Sequence, residues 1–469
     1  MKVRDRGIPW TIYGLVLVIG LFVVAKFGYL SPRFSDGNIY LFLSQLISQG
    51  LVPYQDFFYS SPPFILYLLA AYGSIFGFSW QSFVYIPIIL TSIDAVLIFW
   101  LIRRYGSSLG ALSGAAVYIL SYTTLATTDF VTDVHIIATL VLLGVVASEK
   151  KLPILSGAFF ALAVLSKLYA VVLVVGWVAR YIWLRKQSEL IKFSISFIAI
   201  TGAVSLGMYL VSGKEFYDLV ILSHFGKIQG LSKGDIATLF SQRDWLLILA
   251  PIVWLATSKK TPSVVVIPII ALAIFYTAWN DIYYLYLKLF VVWMALLWGW
   301  IITDLGKKLS NNHYFITVII FVLLLSGFLN TKVYSSNQAE VAVIYPLDEV
   351  VNYVIKNTNE EDEVYGAFEI TPLVALEANR KIWKNMADTN IKFFQTGWFD
   401  HKERERQIKQ DKVPLIITKA LFVRGDRLSR GPEEVLPRSF FNENCRMAKV
   451  WPVEKDYLHN AVIVWQCDY

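Results

Sequence analysis

Residues 34–64 read FSDGNIYLFLSQLISQGLVPYQDFFYSSPPF and follow directly on an apolar segment, residues 10–30. That segment is long enough to cross a bilayer, so the stretch after it begins at a membrane surface. Ser35-Asp36-Gly37 opens a short helix in which Ile39, Phe42, Leu43, Leu46 and Ile47 share one face. Their i, i+3, i+4, i+7, i+8 spacing predicts a helix lying on or in the interface. Gly50 can close it, and Pro53, Pro62 and Pro63 punctuate the chain beyond. Asp36 is thus a carboxylate placed where lipid meets water.

The rest of the composition agrees with a membrane setting. Of 469 residues, 56% are hydrophobic and only 16% charged, and the mean hydropathy is +0.54. Soluble domains carry about 25% charged residues, so the chain reads as a polytopic membrane protein. Residues 10–30 lack the small-residue cleavage site of a signal peptide and read as a retained span. The net charge of +7 sits in short clusters between apolar segments, which is a topology signal and argues against nucleic acid as a partner. Cys445 and Cys467 both lie in the C-terminal region, with no second Cys or His at metal-ligand spacing. A zinc site is not expected there. A disulfide between them and two separate buried thiols both remain open, the former if the region is outside the cytoplasm.

Eleven apolar segments follow one another from residues 10–30 to residues 314–330. With a cytoplasmic N-terminus, eleven crossings put the basic groups Lys2/Arg4/Arg6, Arg103-Arg104, Lys150-Lys151, Arg185-Lys186, Lys259-Lys260 and Lys307-Lys308 all on the inner side. Parity makes residues 63–77 an interfacial or re-entrant segment and divides residues 153–184 into two short helices meeting near Lys167. It places Asp36, Asp129, Asp133, His224, Lys227 and the C-terminal tail outside. The expected fold class is an all-α polytopic membrane domain of about 11 helices, residues 1–330, with a first outer loop at 31–80. A soluble extracytoplasmic α/β domain, residues 331–469, completes it. In that domain Leu347, Val350, Val351, Val354 and Ile355 mark an amphipathic helix, and residues 363–368, 414–418 and 461–467 read as strands. Residues 401–412 read as a solvated helix or loop. No nucleotide-cradling loop, HExxH or GxSxG is present in the sequence.

Several residues are candidates for chemistry. Asp36 can be a helix N-cap, a general base towards an acceptor hydroxyl or amine, or both. Asp129 and Asp133 flank the start of the fourth span, where the helix dipole favours a carboxylate. Asp133 is also placed to orient an acceptor or a cation near Asp36, and Asp129 is a second acidic candidate. Lys167 interrupts the run GAFFALAVLSKLYAVVLVVGW, where an ammonium group is expensive unless paired or hydrated. It either snorkels to the surface or meets a phosphate. Arg33, His224, Lys227 and Arg243 are further candidates for a phosphate site, the last three in the loop after the seventh span.

These pieces together resemble the C-type (GT-C) membrane glycosyltransferases, which use polyprenyl- or dolichyl-phosphate sugars. Protein O-mannosyltransferases and lipid A aminoarabinose transferases belong to that group. The resemblance is carried by Asp36 after the first span, the segment GLVPYQDFF, Pro62-Pro63, Asp133 opening a span, and Gly157 to Lys167, in that order over about the first 190 residues. It implies a first outer loop with two juxtamembrane helices and an essential acidic residue that maps onto Asp36. Two departures stand out. Family members often have an acidic pair where this chain has Asp36-Gly37, and aminoarabinose transferases have Lys before the Pro-Pro pair where this chain has Ser61.

The resulting expectation is an integral membrane protein of the cell membrane. It would transfer a sugar from a polyprenyl-phosphate donor by inverting displacement at the outer face. Phosphate is a competent leaving group, so the chemistry requires no cofactor or metal. The sugar, acceptor and lipid carrier are open. A transporter, or an inactive relative that binds lipid-linked sugar, is the alternative; the odd span count and the missing repeat symmetry argue against a transporter.

Overall fold

The computed structural model describes residues 8–225, 230–257, 263–308, 313–344, 346–423, 427–430, 432–452 and 458–469. The apolar segments form helices throughout. They run as α1 (Ile8–Phe27), α2 (Gly37–Ser48), α3 (Phe64–Phe76), α4 (Trp80–Phe83), α5 (Tyr85–Tyr105), α6 (Ser108–Leu120), α7 (Tyr122–Thr127), α8 (Asp133–Glu149) and α9 (Pro153–Ser166). A 3-10 turn, Leu168–Ala170, leads to α10 (Val171–Trp183), then α11 (Gln187–Ser212), α12 (Lys214–Tyr217), α13 (Ser223–Phe225), α14 (Lys233–Arg243), α15 (Trp245–Thr257), α16 (Ser263–Ala278), α17 (Leu287–Lys308) and α18 (His313–Ile344). Their starts follow local chemistry. Ser79, Ser107, Ser121 and Ser232 cap α4, α6, α7 and α14 with a side-chain oxygen, and Pro153 occupies the first turn of α9.

Each of the eleven expected crossings is a helix, and α9 and α15 coincide with the apolar segments 153–166 and 245–257 that the sequence predicts as crossings. Among the described residues four helices are long and apolar enough to cross a membrane alone: Trp10–Phe27, Trp80–Tyr105, Gln187–Ser212 and Tyr284–Lys308. Others are shorter and rely on neighbours, and α14 meets α15 at an 84° bend. α14 is a helix where the sequence predicts a loop, and α18 runs on past residue 330 to Ile344. At the centre of the bundle is α17, whose Val291, Ala295 and Ile301 are fully buried. It lies so close to α6 that a Cβ on Gly110 would stand 2.4 Å from the Gly299 carbonyl oxygen, the small-residue contact that lets membrane helices approach. Inside the bundle Tyr118 and Thr139 donate hydrogen bonds of 2.7 and 2.6 Å to Asp94, and Lys288 donates one of 2.8 Å to Thr91. That network satisfies polar groups that would otherwise be costly there.

The C-terminal region is an α/β domain. Its elements are α19 (Leu347–Asn357), β1 (Glu363–Gly366), α20 (Thr371–Glu377), β2 (Lys381–Ile382), α21 (Ile391–Gln395), α22 (His401–Asp411), β3 (Leu415–Val423), β4 (Arg427–Arg430), α23 (Arg438–Asn444), β5 (Cys445–Pro452) and β6 (Leu458–Cys467). Strand order is β2-β1-β3-β6-β5, with β4 pairing β3. The β1 pairs are parallel and the β3–β6 and β5–β6 pairs antiparallel. Alternation along the strands gives the sheet two buried faces. Leu415, Ile417, Val462 and Val464 pack with α19, α20 and the juxtamembrane helices, while Ile416, Ile463 and Trp465 pack with Ile408, Phe440 and Phe441. Cys445 stands opposite Cys467 in the β5–β6 register, and the two form a disulfide.

This packing corrects the reading of α2. The expected apolar face is present, with Ile39, Phe42, Leu43 and Leu46 buried, but Tyr40, Leu41 and Ser44 are buried as well. The helix does not lie on lipid; it is held between α3 and α20 of the C-terminal domain. Burying one such Leu stabilises by about 1.5–3 kcal/mol, so α2 joins the two parts of the molecule.

Candidate active site

Asp36 precedes α2, and its carbonyl accepts from the Ile39 and Tyr40 amides. Its side chain makes no capping bond; Ser35 Oγ accepts from the Gly37 amide at 3.3 Å instead. The carboxylate is therefore not employed as a helix cap. It opens onto a cavity of about 370 Å³ beneath the C-terminal domain.

Asp133 and Lys167 line the same cavity. Asp133 is the first residue of α8, where the helix dipole favours its charge. Lys167 follows α9 with extended backbone (φ −161°, ψ 135°), which breaks the helix before the 3-10 turn. The break turns Lys167 towards α8, and its ammonium lies 3.5 Å from Asp133 Oδ2. Three stretches far apart in sequence thus bring a carboxylate, a second carboxylate and an ammonium to one chamber. Tyr40 and Tyr59, both buried, form its wall near Asp36 with Ser60 and Ser61. Ser61 therefore puts a short side chain at the cavity wall. Tyr54 fixes the segment by donating to the Ser61 carbonyl at 2.6 Å, and Ser212 holds the Pro53 carbonyl at 3.0 Å.

The other wall was not anticipated from sequence. Asp281 comes from the loop before α17, and Glu369, Asp388, Asn390 and Lys392 come from the C-terminal domain. Lys392 pairs with Asp281 and lies 4.6 Å from the centre of the Tyr283 ring, tying α21 to the loop before α17. Burial works to lower this ammonium, and the bonds to Asp281 and Tyr283 outweigh it and hold it raised. Lys419 stands 3.4 Å from Glu369. Phe58 packs edge-on against Phe393 and Phe399 at 4.8 and 4.7 Å, seating the domain on the first loop. No spacing in residues 331–469 announced these groups; they reach the cavity because the domain folds over it.

Among the described residues five carboxylates and two ammonium groups line the chamber. Asp36 is itself exposed to the open chamber, and the protein packed around that chamber raises its carboxyl to about 7. Loss of bulk water is the largest cause, followed by the charges of Asp388 and Glu369; Lys167 opposes them, and Asp133 adds to the rise.

The remaining candidates lie elsewhere. Arg33 and Asp129 do not line the cavity. They pair at 3.4 Å, and Asp129 also holds Lys26 and the Tyr334 hydroxyl. This cluster ties α1 to α18 and holds Arg33 and Asp129 outside the cavity lining. His224 is the neighbour of Ser223, which lines the cavity, but its ring Nδ1 lies 3.3 Å from Ser223 Oγ and it is not itself part of the lining. Arg243 closes α14 with its guanidinium over the Tyr122 ring at 5.0 Å. Lys227 falls outside the described residues. At the opposite end of the bundle Glu149, which ends α8, pairs with Arg180 of α10 at 2.6 Å. Among the described residues no group of His, Cys, Asp and Glu is arranged to hold a metal ion.

Residues 60–211 match the dolichyl-phosphate-mannose-protein mannosyltransferase family. The match takes in Asp133 and Lys167 and begins after Asp36. Among solved structures the chain is similar to ArnT from Cupriavidus metallidurans bound to undecaprenyl phosphate, with a TM-score of 0.61 and 14% identity. It is equally similar to ArnT from the same organism in the apo state, with a TM-score of 0.62 and 13% identity. Both alignments cover 96% of this chain and 97% of the other. No curated protein matches the chain. At this coverage the fold is shared from end to end: a helical membrane domain carrying a C-terminal α/β domain.

Proposed function

We propose that the protein transfers a sugar, hexose or pentose, from a polyprenyl-phosphate donor to a lipid, glycan or protein acceptor. The observation that carries this reading is the convergence of Asp36, Asp133 and Lys167 on one cavity at the end of a helical bundle. The similar ArnT chain, in its structure with undecaprenyl phosphate, supports a lipid phosphate as the donor's leaving group.

The chemistry follows from the groups present. An acceptor hydroxyl or amine enters beneath the C-terminal domain and attacks the anomeric carbon. Asp36 takes its proton as the new bond forms, and a carboxylate held near 7 is a better base than an ordinary Asp. The bond between anomeric carbon and phosphate oxygen breaks with its electron pair going to the phosphate. Direct displacement inverts the anomeric centre. Lys167 faces the departing phosphate, where a fixed cation stabilises the charge that develops. Asp133, 3.5 Å from Lys167, holds that ammonium in place. The sugar and phosphate then occupy the cavity while the isoprenoid chain stays in the bilayer.

In this reading the reacting groups stand in the first loop and at the ends of membrane helices, the C-terminal domain roofs the cavity, and both face the extracytoplasmic side of the cell membrane. Arg103-Arg104, at the far end of α5, would then face the cytoplasm, in keeping with the positive-inside rule. The decisive experiment incubates purified protein with a panel of polyprenyl-phosphate sugars and candidate acceptors and detects free polyprenyl phosphate. Release that depends on Asp36 supports the reading, and no release from any donor defeats it. Cysteine accessibility labelling should find Arg103-Arg104 positions cytoplasmic and residues after 346 external.

A further inference from the structure

We infer that Glu369 and Asp388 of the C-terminal domain are positioning residues for Asp36, so that this domain sets the strength of the base as well as covering the cavity. The inference deepens the reading of the site above and concerns two residues that no sequence pattern marks.

It stands on geometry. Glu369 and Asp388 line the same chamber as Asp36, on the wall contributed by the C-terminal domain. Both are held there by the fold. Asn38, in the first turn of α2, donates one hydrogen bond to the Arg33 carbonyl at 2.8 Å and another to the Glu369 carbonyl at 2.7 Å. One side chain thus pins the segment carrying Asp36 and the segment carrying Glu369 together. Asp388 is followed by Thr389, whose hydroxyl donates to the Gly366 carbonyl at 2.8 Å and anchors this loop on the end of β1. Gly366 itself must be small, because a Cβ there would stand 1.9 Å from the Ile417 carbonyl oxygen of β3. The sheet therefore fixes the backbone segments that carry both carboxylates.

Their effect on Asp36 is electrostatic. A nearby like charge disfavours ionisation, and an opposite charge favours it. The charged groups acting on Asp36 are Asp388 and Glu369 from the C-terminal domain, Lys167 from the break after α9, and Asp133 from the start of α8. Asp281 and Lys392 line the chamber as an ion pair, and Lys419 stands behind Glu369. Loss of bulk water is the largest cause of the rise, the two carboxylates of the C-terminal domain add to it, and among the charged groups acting on Asp36 Lys167 lowers it.

The test reads the proton on Asp36 directly and does not depend on sugar transfer. The full-length protein, labelled with 13C at aspartate side-chain carboxyls, is placed in lipid nanodiscs and titrated by NMR. The Asp36 signal is identified by its loss in Asp36→Asn. The parent should titrate near pH 7. Glu369→Gln and Asp388→Asn should each move that titration down, and together by about one unit. Glu369→Asp, which restores the charge, should restore the parental value. Because these variants are close in shape to the parent, a role confined to packing would leave the titration in place. Unchanged titration in both neutral variants would overturn the inference, whatever the outcome of the transfer assay. A moved titration in a protein that releases no lipid phosphate would uphold it and reject the transferase reading alone.

Discussion

Gly37 lies against Val131 so closely that a Cβ on the glycine would stand 2.7 Å from the Val131 carbonyl oxygen. This contact presses the start of α2 onto the extended segment that leads into α8, and it is why Asp36 and Asp133 share one cavity. It also gives a physical reason for the glycine after Asp36, the position at which the sequence departs from the family it resembles. A side chain at that position would have to displace backbone.

Gly37→Ala should therefore act at a distance of one residue. The new methyl group forces the α2 entry away from Val131, at a cost of about 1–3 kcal/mol, as for other overpacked sites. Sugar transfer should fall more steeply than stability, because Asp36 shifts with the helix end. Thermal unfolding and transfer rate measured on the same preparation check this; unchanged transfer would mean that the contact does not place the base.

Asp36→Asn removes a base and no structural bond, since the Asp36 side chain makes no cap. Turnover should drop by roughly 10²–10⁴, the usual worth of a positioned general base. Binding of polyprenyl phosphate should stay close to the parental value. An asparagine variant that turns over at the parental rate would remove Asp36 from the mechanism.

The pH dependence has a definite sign. With the Asp36 carboxyl raised to about 7 from an ordinary value of 3.8, the transfer rate should climb with pH and level off above 7. In stability the same group works the other way. The folded protein holds a proton that the unfolded chain has already released, so the contribution is fully present below about pH 4 and is lost as pH rises through 7. Asp36→Asn should accordingly gain on the parent in unfolding temperature between pH 5 and pH 8. Parallel curves for the two proteins would contradict the raised value.

Lys167→Met keeps the aliphatic stem and removes the charge facing both Asp133 and the donor phosphate. Donor affinity and turnover should both fall, by about 10- to 100-fold in affinity, the worth of one charged hydrogen bond. Asp133→Asn should do less harm to affinity, because it leaves the ammonium in place. Direct binding of polyprenyl phosphate to the three proteins separates these outcomes; equal affinities would place the phosphate elsewhere.

What the sequence determined by itself was everything governed by local periodicity and local chemistry. Apolar length set the spans, and α9 and α15 match their predicted limits because Pro153 and an unbroken apolar run leave little choice. Lys167 was legible because an ammonium in so apolar a run needs a reason, and Asp36 because it opens a helix at a membrane surface. The helix at Lys233–Arg243 was missed because its pattern is too polar to distinguish from a solvated loop. Tertiary structure alone decided which charges meet. Arg33 stands three residues from Asp36, yet it turns to Asp129, because a partly buried guanidinium takes the carboxylate within reach. Glu369, Asp388 and Lys392 come from more than 300 residues further along the chain and reach the cavity only when the sheet is seated on α2 and the first loop. Periodicity reports which face of an element is buried, but not what buries it. For α2 the sequence alone suggested lipid, and the fold supplied a second domain.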